Sequence, residues 1–349
     1  MNKEYDTLVF CGRFQPFHNG HKAVIDKALE KANEVVVVLG SSFQARSTKN
    51  PFTFDERKAM IDAVYGDQFN YAGAQGNIKT PRVKIVGVPD YPYDDNAWVS
   101  SIQSAVDNVK TGNKTGLIGH SKDSSSYYLK IFPKWRNHVE VENVDGINAT
   151  DIRNVMFQGG IQSEKLPQQV LNWSCQIPET NWWKALSFEY KQIIDYCEKS
   201  QMKGFNFPSV FVTTDAVITQ SGYILLIKRG GFPFKDCWAL PGGYLDKGQF
   251  IVDNMIKELR EETCVKIPAK VLKGSIKSVE IFDHPDRDPR GRTITHGFHV
   301  DLGYPDEKLP KVKGADDAKE ARWFHLSEVT SEMMAFDHYH IIKRFISTY

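Results

Sequence analysis

Cysteine is scarce in this chain, and neither sign of charge is in excess. The five cysteines (Cys11, Cys175, Cys197, Cys237 and Cys264) are odd in number, scattered over 349 residues, and form no Cys-x-x-Cys pair. That spacing argues against a disulfide framework or a thiolate zinc site and for a reduced, cytoplasmic protein. A formal net charge of +1 supplies no global basic field for gripping nucleic acid, so any anion site has to be local. No apolar run approaches membrane-spanning length, and Met1 to Asp6 carry no signal-peptide pattern, so no membrane partner is expected. Internal repeats and low-complexity tracts are missing as well. What is present, 41% hydrophobic and 25% charged residues, is an ordinary globular composition with length for about two domains. The expected partners are small molecules, with association into a homo-oligomer left open.

The most informative stretch is Gly12-Arg13-Phe14-Gln15-Pro16-Phe17-His18-Asn19-Gly20-His21. It follows the apolar run Leu8 to Phe10 and precedes a helical period (Ala23 to Ile25, Ala28, Leu29, Ala32), so it reads as a strand-to-helix turn. Such a turn offers free backbone N–H groups and the positive end of a helix to a phosphate. Arg13, His18 and His21 surround those groups, and Gly20 permits close backbone approach. Two unconnected histidines would read as a cap or surface groups. The His-x-Gly-His spacing on a strand–turn–helix, after Gly-Arg-Phe-Gln-Pro, resembles the HxGH nucleotidyltransferases, and specifically the archaeal-type nicotinamide mononucleotide (NMN) adenylyltransferases.

Strand-like runs then alternate with helical patterns through Val35 to Leu39, Val83 to Val88, Gly116 to Ile118 and Val139 to Val144. Alternation with near-continuous apolar strands predicts a doubly wound parallel sheet covered on both faces, with ligands at the strands' carboxyl ends. Three further segments converge on that edge. In Ser41 to Thr53, Thr53 and Glu56 have the spacing of a capping box, which puts Arg57 in the first turn of a helix. On spacing alone Arg57 is equally a solvated helix residue; the family resemblance implies that Lys49 and Arg57 hold the phosphates of ATP. In Pro89 to Trp98 a tryptophan entering a helix is most often core packing, whereas the resemblance implies that Trp98 stacks on nicotinamide with Asp90 and Asn96 near NMN. In Asn148-Ala149-Thr150-Asp151-Ile152-Arg153, Thr150 is the expected N-cap and Arg153 projects from the first turn. This resembles the family's second signature, ISTxxR, with Asn148-Ala149 in place of Ser-Thr. The resemblance implies an ATP site of Gly12, Arg13, Phe14, His18, His21, Lys49, Arg57, Thr150 and Arg153, of which His18, His21 and Arg153 are catalytic. The reaction it implies is in-line attack of the NMN phosphate on the α-phosphorus of ATP as substrate, giving NAD and pyrophosphate.

Residues 1–180 are read as this domain, and 181–207 as a helical connector of period Trp182, Trp183, Leu186, Tyr190, Ile193, Cys197, with Gly204 to Pro208 as a hinge. From 208 to 349 the character changes. Phe211 to Ile218 and Tyr223 to Ile227 flank a Gln220-Ser221-Gly222 turn and read as a hairpin. Leu240 to Gln249 lead into a helix in which Glu258, Glu261 and Glu262 fall within an arc of about 100°. A solvated acidic face is the plain reading; the preceding Gly242-Gly243 instead allows loop and helix to pack tightly around a cation. The pattern resembles the Nudix box, G-x5-E-x7-R-E-U-x-E-E-x-G-U, with Gln249 for the first Glu, Lys257 for Arg and Cys264 for the last Gly. The implied fold is a Nudix α/β/α sandwich in which Glu258, Glu261, Glu262 and the Gly242 carbonyl bind Mg²⁺ or Mn²⁺. Arg287, Arg290 and Arg292 lie in a stretch that resembles the loop of ADP-ribose-hydrolysing Nudix enzymes. Asp316, Asp317 and Glu320 stay open as general base. The implied activity is hydrolysis of ADP-ribose to AMP and ribose 5-phosphate; the alternative, which the altered box allows, is a module that binds ADP-ribose and regulates the partner domain without cutting it.

Overall fold

The computed structural model describes residues 3–72, 78–119, 131–135, 138–141, 146–200, 209–303 and 308–346. The chain divides into two compact units, Met1–Ser187 and Phe188–Tyr349. The first is built on a sheet of β1 (Tyr5–Gly12), β2 (Ala32–Leu39), β5 (Val83–Gly87), β6 (Thr115–Gly119) and β7 (His138–Glu140). All neighbours are parallel in the order β5-β2-β1-β6-β7. The order reverses between β1 and β6, which makes the carboxyl end of β1 the place where such sheets bind ligands. Val35 to Leu39 are fully buried, as strands covered on both faces must be. A short hairpin, β3 (Phe69–Ala72) with β4 (Ile78–Pro81), was not anticipated from the sequence.

The second unit is a seven-stranded mixed sheet. Its strands are β8 (Val210–Gln220), β9 (Tyr223–Arg229), β10 (Trp238–Ala239), β11 (Gly242–Tyr244), β12 (Ile276–Phe282), β13 (Arg292–Asp301) and β14 (Ala318–His325). The hairpin predicted around Gln220-Ser221-Gly222 is formed, with Ser221 and Gly222 both at positive φ (51° and 81°), as a tight turn between twisted strands requires. Beyond Thr219 and Ile224 the two strands part: β11 pairs with β8 and β14 with β9. The gap so opened receives the loop before the acidic helix Ile251–Thr263. That helix buries Met255, Ile256 and Leu259 against Ala216, Ile218 and Leu225.

The segment read as a separate connector is an ordered helix, Asn181–Ser200, shared by the two units. Its aromatic start packs in the first: Trp183 stacks on Phe157 (4.6 Å, 8°) and Phe52 (6.0 Å, 6°), and the Arg46 guanidinium lies 3.9 Å over Trp182. Its later turns belong to the second, where the buried Glu189 accepts the Phe234 N–H at 3.1 Å. The proposed hinge Gly204 to Pro208 lies outside the described residues.

Cys264, standing where the box has glycine, caps the acidic helix in the left-handed region, φ 52°. A side chain there costs about 1 kcal/mol. Cys264→Gly is therefore expected to raise the urea midpoint of the second unit, a gain of about 0.5–1 kcal/mol after glycine's own chain entropy; an unchanged or lower midpoint counts against the strain.

Candidate active sites

At the end of β1 the chain folds over itself. Phe14 sits at φ 51° with its ring beneath Gly12, where an added Cβ would lie 3.0 Å from it. His18 is the N-cap of the helix Asn19–Lys31, its Nδ1 accepting the His21 N–H at 3.4 Å. The two imidazoles stack with centroids 3.7 Å apart, and Gly20 lies so close that a Cβ would come 3.0 Å from the His18 ring. The buried Gln15 side chain donates to the Phe52 carbonyl and accepts the Phe52 N–H, both at 2.9 Å. The Ser41 to Thr53 loop is thereby tied to the β1 turn. Arg153 donates to the Gln15 carbonyl at 2.7 Å and to Thr150 Oγ1 at 3.2 Å. Burial, reinforced by the like charge of Arg13, pushes the Arg153 guanidinium down to about 10. Two cations held together with stacked imidazoles at a helix N-terminus form a place for an anion.

In the second unit a cleft of about 200 Å³ is lined by Asp215, Arg229, Tyr244, Glu262, Arg290 and His338, among others. Glu262 accepts the Gly242 N–H at 2.8 Å; burial, with Glu258 and Asp215 adding their charge, pushes its carboxyl up to about 8. Gly243 lies against Glu258, whose Oε2 is 2.5 Å from where a Cβ would be, and a Cβ on Gly242 would stand 2.0 Å from the Thr214 carbonyl. Any side chain at either glycine would fill the cradle that brings the carboxylates to the loop. Asn254, fully buried, pins the helix to that loop: it accepts from the Asp246 N–H and donates to Thr214 and to the Tyr244 carbonyl. In the cleft wall Arg287 forks onto Asp337 (3.0 and 2.9 Å) and lies 3.5 Å from Asp215. His338 Nδ1 accepts the Leu240 N–H at 2.9 Å, so its Nε2 carries the proton, 3.8 Å from Asp215. Among the described residues no three carboxylate, imidazole or thiol groups stand together as a ready-made metal cage. Lys257 bridges Glu258 and Glu261, at 3.2 and 3.0 Å. Buried hard oxygens whose charge is disfavoured by their surroundings nevertheless suit a hard divalent cation.

Both halves of this picture recur in known proteins. Residues 9–154 match the cytidylyltransferase-like family and residues 210–345 the NUDIX domain. The N-terminal half is 35% identical over 190 residues to a nicotinamide/nicotinic acid mononucleotide adenylyltransferase of Acinetobacter baylyi, covering 54% of this chain and 95% of that protein. The C-terminal half is 37% identical over 157 residues to an ADP-ribose pyrophosphatase of Methanocaldococcus jannaschii, covering 45% of this chain and 83% of that one. A crystal structure of a bifunctional NMN adenylyltransferase/ADP ribose pyrophosphatase from Francisella tularensis, complexed with AMP and a manganese ion, superimposes with TM-score 0.88 at 32% identity over 99% of both chains. The chain belongs to this bifunctional NMN adenylyltransferase/ADP-ribose pyrophosphatase family.

Within this bifunctional fold several expected site residues have other duties. Arg57 is the main correction. It is fully buried, and all five of its N–H groups go to the chain itself: the carbonyls of Thr53, Arg13, Gly40 and Ser41 and the Ser42 hydroxyl. No donor is left for ATP, so Arg57 shapes the site from below. Thr150 is not the N-cap; Asn148 is, accepting the Asp151 N–H at 2.9 Å, while Thr150 receives Arg153. Asp90 accepts the Ser41 N–H at 3.0 Å and so braces the same loop on which Lys49 sits half-buried. Asn96 is exposed in the first turn of the helix Asp95–Asp107, and Trp98 is half-buried on the core beside Phe132.

The three glutamates of the second unit do not share one environment: Glu262 is buried, Glu258 half-buried and Glu261 exposed. Of the loop arginines, Arg287 and Arg290 line the cleft, the Arg290 guanidinium 5.4 Å from the Tyr244 and Phe336 rings and forked onto Asp288. Arg287 is spent on Asp337, and Arg292 turns to Asp283, outside the cleft lining. Among the three candidate bases Asp317 lines the cleft. Sequence reasoning missed Gln15, Asp215, Arg229, Asn254 and the Asp337–His338 pair. Gln15 carried a signal in its place inside the Gly12 to His21 motif, and Arg229 another in the Gly230-Gly231 that follows it at a strand end.

Two outcomes follow. Arg57→Met leaves the Arg13, Gly40 and Ser41 carbonyls without this donor, and a loss of about 3 kcal/mol in urea stability of the first unit is expected; a loss below about 1 kcal/mol counts against the brace. Burial pushes the His338 imidazole down to about 3, so between that pH and about 6.5 the unfolded chain binds the extra proton and stability rises with pH. His338→Gln, which keeps an acceptor for Leu240, should flatten this acid limb in urea titrations from pH 4 to 6.5; an unchanged slope refutes the assignment.

Proposed function

We propose that the first unit transfers the adenylyl group of ATP to NMN and that the second hydrolyses ADP-ribose to AMP and ribose 5-phosphate. The observation that carries the first reading is the stacked His18–His21 pair at a helix start beside Arg13 and Arg153. An NMN phosphate oxygen forms the new bond to the α-phosphorus as the bond to pyrophosphate breaks, so no protein nucleophile is required. The chain supplies orientation, imidazole and guanidinium donors, and helix N–H groups where charge gathers on the leaving pyrophosphate. Lys49 belongs to the same phosphate site, and Asp90, Asn96 and Trp98 form the acceptor side.

In the second unit Glu258, Glu261, Glu262 and the Gly242 carbonyl would hold Mg²⁺ or Mn²⁺. Such an ion lowers the pKa of bound water and neutralises pyrophosphate charge. Arg290, between the Tyr244 and Phe336 rings, recognises the nucleotide diphosphate, and Asp317 is the base candidate that faces the cleft. The alternative, binding of ADP-ribose without turnover, draws support from Lys257 seated among the carboxylates. Five free cysteines and, among the described residues, no helix long and apolar enough to cross a membrane fit a cytoplasmic setting.

His21→Ala should slow NAD formation by about a hundredfold or more and leave ADP-ribose hydrolysis intact, while Glu262→Gln should do the converse. Chromatographic assay of both products separates the outcomes. Pantetheine phosphate outcompeting NMN in an acceptor panel would overturn the first assignment, and the absence of any Mn²⁺-dependent AMP release would leave binding without turnover as the second.

A further inference from the structure

One of the three residues at which this chain departs from the Nudix pattern is also the one at the centre of its acidic cluster. The Lys257 ammonium lies 3.0 Å from Asp246 Oδ2, 3.2 Å from Glu258 Oε1 and 3.0 Å from Glu261 Oε2. Two of these carboxylates are the ones assigned above to a divalent cation; the third stands on the loop that precedes the helix. Glu258 is the more confined partner: its side chain is 13% exposed and its other oxygen lies close to Gly243. The lysine can withdraw: its side chain is 36% exposed, and an ammonium on a flexible stem makes no bidentate grip of the kind a guanidinium fork makes on a carboxylate.

We propose that Lys257 is a built-in counter-ion of this site, which a divalent cation displaces from Glu258 and Glu261 when it binds. The inference rests on the reading of those two residues as metal ligands. A compact ammonium and a divalent ion cannot hold the same oxygens, and at a few ångströms their repulsion is large even under substantial screening. With no metal bound, the lysine neutralises carboxylates that would otherwise repel across one helix turn. When metal arrives, Asp246, which is not a ligand, remains as the place to which the ammonium withdraws. Occupancy by metal is therefore weakened by an internal competitor, and hydrolysis becomes graded by the free divalent concentration.

Full-length protein is titrated with MnCl₂ while free Mn²⁺ is followed by its paramagnetic resonance signal, for the wild type, Lys257→Met and Lys257→Arg. The methionine variant, which keeps the stem and removes the charge, is expected to bind Mn²⁺ about tenfold more tightly, and the arginine variant no more tightly than the wild type. Equal or weaker binding by Lys257→Met overturns the counter-ion and leaves the metal site standing. No Mn²⁺ binding by any of the three overturns the metal site itself and the inference with it. A measurement on the unaltered protein covers the case of a variant that does not fold: acetylation of Lys257, read by mass spectrometry, should quicken severalfold when Mn²⁺ is added, while a surface lysine such as Lys184, which pairs with Glu179, is unaffected. Acetylation of Lys257 that stays constant or slows with Mn²⁺ refutes the displacement.

Discussion

Everything at the first site depends on one buried guanidinium. Arg57 reaches from the first turn of its helix and ties together the turn after β1, through Arg13, and the loop after β2, through Gly40, Ser41 and Ser42. Loops at the carboxyl edge of a parallel sheet expose carbonyls that no strand pairs, and a buried carbonyl without a donor is costly. Five N–H groups on one planar centre satisfy several of them at once. Among the described residues no carboxylate forms a salt bridge with this charge; burial, only partly offset by the charges of Asp90 and Glu56, holds the group down to about 10. With the loops fixed, Arg153 is held from its own helix against the turn that leads to His18 and His21, the condition under which a set of cationic groups stabilises charge without reorganising.

The second unit meets the opposite problem: too much negative charge in a small volume. Glu262 and Asp215 are buried and Glu258 half-buried in or near the cleft, and each has its carboxyl pushed up by burial. Different devices contain them. The Gly242 N–H serves Glu262, Arg287 serves Asp215 while gripping Asp337, and Lys257 serves Glu258 together with the exposed Glu261. Glycines 242 and 243 make this possible, since a Cβ on Gly243 would strike Glu258 of the helix and one on Gly242 would strike Thr214 and Asp215 of β8.

The departures from the expected pattern gain physical meaning in the same frame. Lysine in place of arginine exchanges a fixed fork for a movable point charge. Cys264 in place of glycine accepts a left-handed backbone that glycine adopts freely. Helix Asn181–Ser200, which looked like a spacer, contributes aromatic packing to one unit and a buried carboxylate to the other.

The sequence by itself determined the parallel α/β sheet, the second domain with its hairpin and acidic helix, and the two phosphate-handling motifs, because each is written in local periodicity, glycines and short spacings. His18 and His21 were legible since three residues of one helix start suffice to bring them together. Only the tertiary structure decided which cations face a ligand. The resemblance assigned Arg57 to the ATP phosphates and Arg287 to ADP-ribose, because chemistry and proximity in sequence say nothing of burial; folding brings both of them partners from elsewhere, Gly40 from 17 positions away and Asp337 from 50. A side chain's charge is local information. Whether its hydrogen bonds are already taken depends on long-range packing, which no run of neighbouring residues records.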